Sequence, residues 1–589
     1  MAFDGIVTKS IVKELNILID CKIDKIYQPD KNTILLGLYG NKTHYALNIS
    51  IDSSNYRINL TTHNKSNPNV APNFCMLLRK HLIGSYIKNI EMNGLERVVT
   101  LNLETFNDFN EIICKKLIVE LMGKHSNIVL LDENNIIIDS IKHCIKSETS
   151  YRDVIPNKLY VLPQTDKYDF LQIKSFNEFY NTIKNDLEIR SLDKIISSKF
   201  NGISNSFIKF HINTLNINVN NLKDLEKLYN YLINIISSNS ENLEFIKITD
   251  NENNPKDYIL SLSNTHSQNL SLNFFLDDYY YLKENNENFK SYRNSILKLI
   301  LDTLKKYKKR LENICEKLSE CEHMDQYKLY GELITANLYK YNGQNSSSIS
   351  VENYYDNNNL INIPLDKKYT VNTNAKHYFK KYNKLKNALE IVSIQKKETI
   401  SDLNYLESIV YELENCTSLD DVYDIFEEIS ENELFRNNLS KKKNNKNKKK
   451  QNKNNTNAKI SFNPIIEEFN NHKIYIGRNN KENDLLTMKF ADKNDLWFHT
   501  KDIHGSHVIL KLNNPKDIID ESILIKCAEI AAKHSKAKDS YNVPVDYCKI
   551  QYVKKPNKSK PGMVIYSNNK TLYVNPWYFI NTIVSNRKK

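Results

Sequence analysis

The sequence predicts a multidomain α+β chain, and three observations carry that reading. Strand-like alternation fills much of the first 170 or so residues, a heptad seam runs from Leu297 to Cys321, and a strand-dominated stretch follows a Lys/Asn tract near the C-terminus. At 589 residues the chain exceeds what one hydrophobic core usually organises, so several domains are expected.

Residues 1–172 are expected to form an α+β head, with strands at Asn32–Leu38, His44–Asn48, Ile112–Leu121 and Ser126–Leu131 between short helices. From 173 to 285 the pattern turns helical and contains the glycine-bearing turn NGIS, Asn201 to Ser204. Such a turn either joins two helices or offers backbone amides to a phosphate. Residues 286–435 follow as a helical arm. Leu297, Ile300, Leu304, Tyr307, Leu311, Ile314, Leu318 and Cys321 alternate at spacings of three and four. A second array runs through Leu385, Leu389, Val392, Leu403, Leu406, Val410 and Leu413, interrupted at Lys396 and Thr399. Neither apolar seam is stable in water, and both lie on one chain, so an antiparallel intramolecular coiled coil is predicted, with a parallel homodimer as the rival. Residues 331–373 would form its tip, with a strand at Leu360–Leu365. Residues 436–458 read as a linker, and 459–589 as a final domain. There Glu521–Lys536 should be a helix with Ile523, Leu524, Cys527 and Ile530 facing inward and its lysines elsewhere.

Composition narrows the function. Apolar residues make up 40% and charged residues 26%, without an apolar run long enough to span a bilayer. MAFDGIVTKSIVKEL lacks the layout of a signal peptide, and the nine cysteines form no CxxC pair. A cytoplasmic protein without membrane contact is therefore expected. The net charge is +12, but residues 441–457 hold eight lysines and no acids. The remaining 572 residues carry only +4, so bulk charge is weak evidence for RNA. GxGxxG, GxxxxGK and GxSxG are all absent, which argues against familiar dehydrogenases, NTPases and hydrolases.

The run DLWFHTKDIHGSHVIL, Asp495 to Leu510, alternates like a strand and breaks at Gly505. Alternation would place Trp497, His499 and Lys501 on one face, suited to a base or phosphate; the bland reading is a strand edge with a half-buried Trp. His499, His504 and His507 lie close together, but without cysteine or HExxH spacing no metal site and no cofactor is expected.

With YIGRNNKENDLLTMKFA (475–491) and KPGMVIYSNNKTLYVNP (560–576), this run resembles the RNA-binding domain of the NFACT family. The family comprises ribosome-associated quality-control proteins, including bacterial members once called fibronectin-binding A. MAFDGIV, PNFCMLLRKHLIG (72–84), NGLERVV (93–99), ELMGKHSNIVLLD (120–132), YGELITANLY (330–339) and NAKHYFKKYNKLK (374–386) resemble other parts of the family in the same order. The resemblance implies a head like the N-terminal half of formamidopyrimidine-type glycosylases, a helix-hairpin-helix neck and a mixed α/β C-terminal domain. Glycosylase chemistry is not implied, because Ala2 and Phe3 stand where an N-terminal proline nucleophile and its acid would be.

By resemblance, Asp4, Arg79, Glu96, Arg97, Glu120, Leu121, Met122 and Lys124 are expected to bind tRNA. Trp497, His499, Lys501, His504, His507 and Lys560 are expected to face RNA or the ribosome. Glu96 stands where the family carries Asp, which makes the carry-over firmer for Arg97. The implied partners are the large ribosomal subunit with its ribosomal RNA, peptidyl-tRNA with its nascent chain, and alanyl-tRNA. The implied activity is template-free alanine tailing of a stalled chain, with peptide bonds made by the ribosome, so no enzyme activity is expected. The alternatives are an extracellular-matrix adhesin and a general RNA-binding or RNA-processing protein.

Overall fold

A computed structural model describes residues 3–106, 109, 111–146, 152–250, 255–263, 271–341, 346–432, 434–435, 462–512, 514, 519–557 and 559–576. The Lys/Asn tract expected as a linker lies outside them. The chain divides into two compact units, Met1–Glu287 and Asn288–Lys589.

The first unit begins with helix α1 (Gly5–Leu15) and the antiparallel strands β1 (Lys22–Asp30), β2 (Thr33–Gly40), β3 (Thr43–Ser50) and β4 (Arg57–Leu60). Helix α2 (Asn73–Leu82) precedes β5 (Tyr86–Met92), β6 (Val98–Phe106), β7 (Ile112–Glu120), β8 (Asn127–Leu131) and β9 (Ile137–Ser140). Together they form one nine-stranded sheet ordered β4-β3-β2-β1-β5-β6-β7-β8-β9. All four strands expected from alternation are present. The two halves of the sheet join at the β1–β5 pairing, Lys22 opposite Tyr86. The period of two appears directly along β6: Val99, Leu101 and Leu103 enter the main core, while Val98 joins Ile118, Val129 and Leu131 in a smaller one.

Helices α3 (Phe176–Ile183), α4 (Leu192–Lys199), α5 (Asn205–Thr214) and α6 (Leu222–Ser237) follow, then the hairpin β10 (Leu243–Thr249) and β11 (Pro255–Leu262). They extend the same core through Leu225, Leu228, Leu232 and Ile235 of α6. The NGIS turn lies between α4 and α5, as its sequence suggests.

Helix α7 (Leu272–Glu322) enters the second unit, followed by α8 (Met324–Ala336), α9 (Leu338–Tyr341), the hairpin β12 (Ser348–Asn353) and β13 (Asn359–Pro364), α10 (Val371–Asn415) and α11 (Leu419–Glu431). The predicted seam is real. Ile296 and Ile300 of α7 pack with Leu406, Ile409 and Leu413 of α10 and with Val422 and Ile425 of α11. Lys308 pairs with Glu407 at 3.5 Å, and Cys321 donates to the Leu385 carbonyl at 3.6 Å. Residue numbers rise along α7 as they fall along α10, so the arm is antiparallel. Thr399, an expected interruption, is fully buried and keeps the helical repeat between Val392 and Leu406. The tip core joins Leu333 and Ile334 of α8 to Ile349, Val351 and Ile363 of the hairpin. Gly331 lets the Phe379 ring pack closely there: a Cβ would stand 2.9 Å from the ring, which would have to shift.

The C-terminal part holds β14 (Ile465–Phe469), β15 (His472–Ile476), α12 (Asn480–Leu485), β16 (Leu496–Thr500), β17 (Val508–Leu510), α13 (Glu521–Lys533), β18 (Val543–Lys549), the short pair β19 (Val553–Lys554) and β20 (Ile565–Tyr566), and β21 (Lys570–Val574). Six strands form an antiparallel sheet ordered β14-β15-β17-β16-β18-β21. Ile523, Cys527 and Ile530 of α13 cover one face, meeting Phe498, Val508 and Val545. The other face buries Trp497, Ile509 and Cys548 under Leu486. Lys526 corrects the expected lysine placement: it is buried, with its ammonium 5.7 Å from the Phe469 ring centre.

Candidate nucleic-acid interfaces

In the first unit three segments far apart in sequence meet at the start of α1. The Gly5 amide donates to the Gly202 carbonyl at 2.8 Å. Added Cβ atoms at Gly5 and Gly202 would stand 2.2 and 2.1 Å from the Leu95 carbonyl oxygen, and Gly202 has φ +72°. Only glycine allows this approach at Gly202. Asp4 closes the junction: one oxygen caps α1 at the Val7 amide, 3.1 Å away, and the other accepts from the Ser204 amide at 3.2 Å. Burial pushes the Asp4 carboxyl up, while hydrogen bonds from Ser204 and Val7 and the charge of Arg97 pull against it. Asp4 is thus a buried anchor for the NGIS turn, and its placement corrects the reading of a direct tRNA contact.

Arg97 leaves this junction half-exposed. Its Nη1 donates to the Tyr56 hydroxyl at 3.2 Å, and the guanidinium carbon lies 5.8 Å from the Tyr56 ring centre. Its carbonyl accepts from the Leu121 amide at 2.8 Å, which ties it to the 120–124 stretch. Glu96 is also half-exposed; burial and then the neighbouring Asp169 charge raise its carboxyl.

The ELM stretch is divided between interior and surface. Glu120 is fully buried and receives the Arg152 guanidinium at 2.7 and 2.6 Å and the Tyr160 hydroxyl at 2.7 Å. Leu121 is core. Neither side chain reaches RNA, because the one carboxylate is already matched by a cationic fork and the other residue is packed. Met122 is half-buried and Lys124 exposed. Met122, Lys124, Lys142 and Arg152 border a cavity of about 390 Å³. Arg79 is half-exposed, with Nε donating to the Ile26 carbonyl at 2.8 Å. The surface suited to an anion therefore narrows to Arg97 and Lys124, with Arg79 at a further position. Sequence reasoning missed Tyr56, Lys142 and Arg152, since no local pattern distinguishes them.

In the C-terminal domain, Trp497 is fully buried and has no face for an RNA base. It stacks on His499, ring centres 5.6 Å apart, and meets the edge of His507 at 5.4 Å. His507 is buried with Nδ1 2.7 Å from the Thr487 hydroxyl. Burial pushes His499 down to about 4 and His507 down to about 3, so both are neutral at pH 7. His504 lies 3.7 Å from Glu407, and Lys560 pairs with Asp402 while its ammonium sits 5.1 Å from the Tyr405 ring centre. These groups connect the domain to α10, as do Arg478–Asp421 at 2.8 Å to α11 and Asn480–Ser408 at 3.1 Å. The structure corrects the outward reading of Trp497 and His507. Of the six residues expected to face RNA, Lys501 is the one that is exposed. Among the described residues, no group of three or more His, Cys, Asp or Glu is placed to hold a metal ion. Among the same residues, no helix is long and apolar enough to cross a membrane.

An antiparallel helical arm that carries a two-sided sheet domain, together with a glycine-locked head, is the architecture of a multidomain NFACT protein. Residues 4–452 match the NFACT N-terminal and middle domains, and residues 462–568 match the NFACT protein RNA binding domain, so the chain belongs to the NFACT family. It is 34% identical over 596 residues to "Rqc2 homolog RqcH" of Bacillus subtilis, covering 98% of both chains. It is 30% identical over 580 residues to "Rqc2 homolog RqcH" of Streptococcus pneumoniae, again covering 98% of both. Among solved structures it is similar to the fibrinogen binding protein from Staphylococcus aureus, at 28% identity, covering 48% of this chain and 99% of that one, with a TM-score of 0.40.

Proposed function

We propose that this protein is a cytoplasmic ribosome-associated quality-control factor. It binds large ribosomal subunits obstructed by peptidyl-tRNA, contacts ribosomal RNA, and recruits alanyl-tRNA for template-free alanine tailing of the stalled nascent chain. The tail marks that chain for degradation. Similarity over 98% of the chain to the Bacillus subtilis protein is the observation that carries the proposal.

In this reading the protein delivers and positions tRNA, and the ribosome makes the peptide bond, so no residue here is catalytic. The role of the head rests on Arg97, a permanently charged fork held beside the α4–α5 turn by Tyr56. Lys124 adds an exposed charge, and Glu96 supplies an acid close to the fork. Contacts of this kind weaken with salt as counterions compete for the phosphates.

The test is to isolate the tagged protein from cells and sequence the tRNA recovered with it. Large subunits enriched in alanine tRNA support the proposal. Large subunits carrying a different tRNA species overturn the alanine specificity. Recovery of neither subunits nor tRNA overturns the ribosomal role.

A further inference from the structure

Two sequence segments singled out above, 475–491 and 495–510, converge on a cavity whose purpose the tRNA-delivery role does not explain. Its volume is about 610 Å³, within the range of small-ligand sites. Gly477 and Arg478 come from the first segment and Gly505 from the second; Tyr411 and Glu412 of α10 and the end of α13 complete the wall. Arg478 is already engaged, with Asp421 at 2.8 Å and Glu482 at 3.1 Å.

Glu412 is 7% exposed. One of its oxygens has no hydrogen-bond partner among the described residues, while the carboxyl receives the Asn480 backbone N–H. Burial and the nearby Glu428 raise this carboxyl well above its ordinary range. An orphaned acceptor in a buried wall is costly, and folded proteins seldom keep one that nothing satisfies. Two exposed cations, Lys533 and Lys538, border the same cavity. Lys533 has Glu467 at 3.9 Å and Lys538 has the Asn415 amide oxygen at 3.3 Å, both long enough for an anion to compete.

A buried carboxyl matches the N–H groups on the pairing edge of a base, an aromatic wall suits its ring, and two lysines suit a phosphate. We infer that this cavity receives a single nucleotide, with the base edge on Glu412 and the phosphate on Lys533 and Lys538. The inference rests on the reading of the C-terminal domain as RNA-binding and specifies what it grips. The same chemistry is presented by a free nucleotide and by a base turned out of an RNA strand.

The experiment uses the full-length protein, the four nucleoside monophosphates and labelled single-stranded pentanucleotides of each base. Lys533→Ala/Lys538→Ala should weaken pentanucleotide binding by about tenfold and lower the salt slope by about 2, without changing the melting temperature. Glu412→Gln should change the relative affinity for the four bases by about tenfold. Monophosphates that bind with the same sensitivity to the variants assign a free nucleotide; binding of pentanucleotides alone assigns an extruded base. Unchanged affinity and salt slope in the double-lysine variant overturn the inference, whatever the fate of Glu412→Gln. Recovery of large subunits from cells tests the ribosomal role separately, so an empty cavity leaves that role standing.

Discussion

The hydroxyl of Tyr56 holds Nη1 of Arg97 at 3.2 Å, from a ring whose centre lies 5.8 Å from the guanidinium carbon. A long, flexible cation is thereby set in one direction before any ligand arrives, which lowers the ordering cost of binding. Tyr56 itself is buried, so its position is fixed by the core.

Arg97→Ala should lower tRNA recovery with the protein by about tenfold or more, because charge-assisted bonds contribute roughly 1.5–3 kcal/mol each. Tyr56→Phe should lower it less, since the charge survives and only its orientation loosens. Quantitative tRNA sequencing of the purified complexes, with melting curves as the control, measures both. Equal recovery from wild type and Arg97→Ala would remove Arg97 from the interface.

Glu120→Ala should destabilise the first unit by about 3–5 kcal/mol, because it strands Arg152 beside a buried site. Lys124→Ala, a change at an exposed position, should leave the melting temperature within error and still weaken tRNA binding. Thermal denaturation of the pair separates the structural acid from the surface cation.

Gly202→Ala combines a φ of +72° with a Cβ 2.1 Å from the Leu95 carbonyl oxygen. A cost of about 1–3 kcal/mol from backbone strain alone is expected, with displacement of the 93–97 loop adding to it. Denaturant melts read the stability, and tRNA recovery should fall as well, because Arg97 sits on that loop.

Glu428 should contribute stability to the second unit at low pH that is lost as pH rises from about 4.5 to 7, opposing the gain over the same range from His499 and His507, which burial holds neutral. Burial raises Glu428 to about 7, against hydrogen bonds and charge from Tyr405, Lys481 and Asn480, with Asp484 adding to the rise. The folded state therefore binds a proton that the unfolded state releases near its ordinary value, and stability present at low pH is lost through this window. Glu412, raised by its burial and by the charge of Glu428, acts in the same direction. Melts of wild type and Glu428→Gln at pH 5, 6, 7 and 8 isolate this contribution: the stability of the wild type relative to the variant should fall across the window.

Trp497 should report a dry environment. The chain has two tryptophans, so Trp577→Phe leaves Trp497 alone. Its emission should be blue-shifted and poorly quenched by acrylamide, as its complete burial requires. Strong quenching would return the ring to the surface.

Features that repeat locally were legible in the sequence. The arm showed itself through spacings of three and four, and the tip strand expected at Leu360–Leu365 lies at Asn359–Pro364. Strand alternation is clearest along β2, where Ile34, Leu36 and Leu38 are buried and Leu35 and Tyr39 are less so, whereas β8 is buried at every position and divides its side chains between two cores. The same rule misplaced Trp497. Strand β16 lies inside a six-stranded sheet covered on both faces, so alternation there separates two interiors instead of inside from outside. Glu120 was read as surface for a different reason: its partners Arg152 and Tyr160 lie 32 and 40 residues away, and nothing in the intervening sequence announces the pairing. Tyr56 stayed hidden likewise, 41 residues from the arginine it orients.

The there-and-back course of α7 and α10 makes the arm an adjustable ruler. Seven residues added to both helices at matched heights would advance the tip by roughly 10 Å and restore every seam contact one repeat further on. Seven added to one helix alone would leave an unmatched turn facing water. Reach can therefore evolve in whole, paired steps while the tip and the sheet domain keep their own designs, and a change of distance asks nothing of the surfaces at either end.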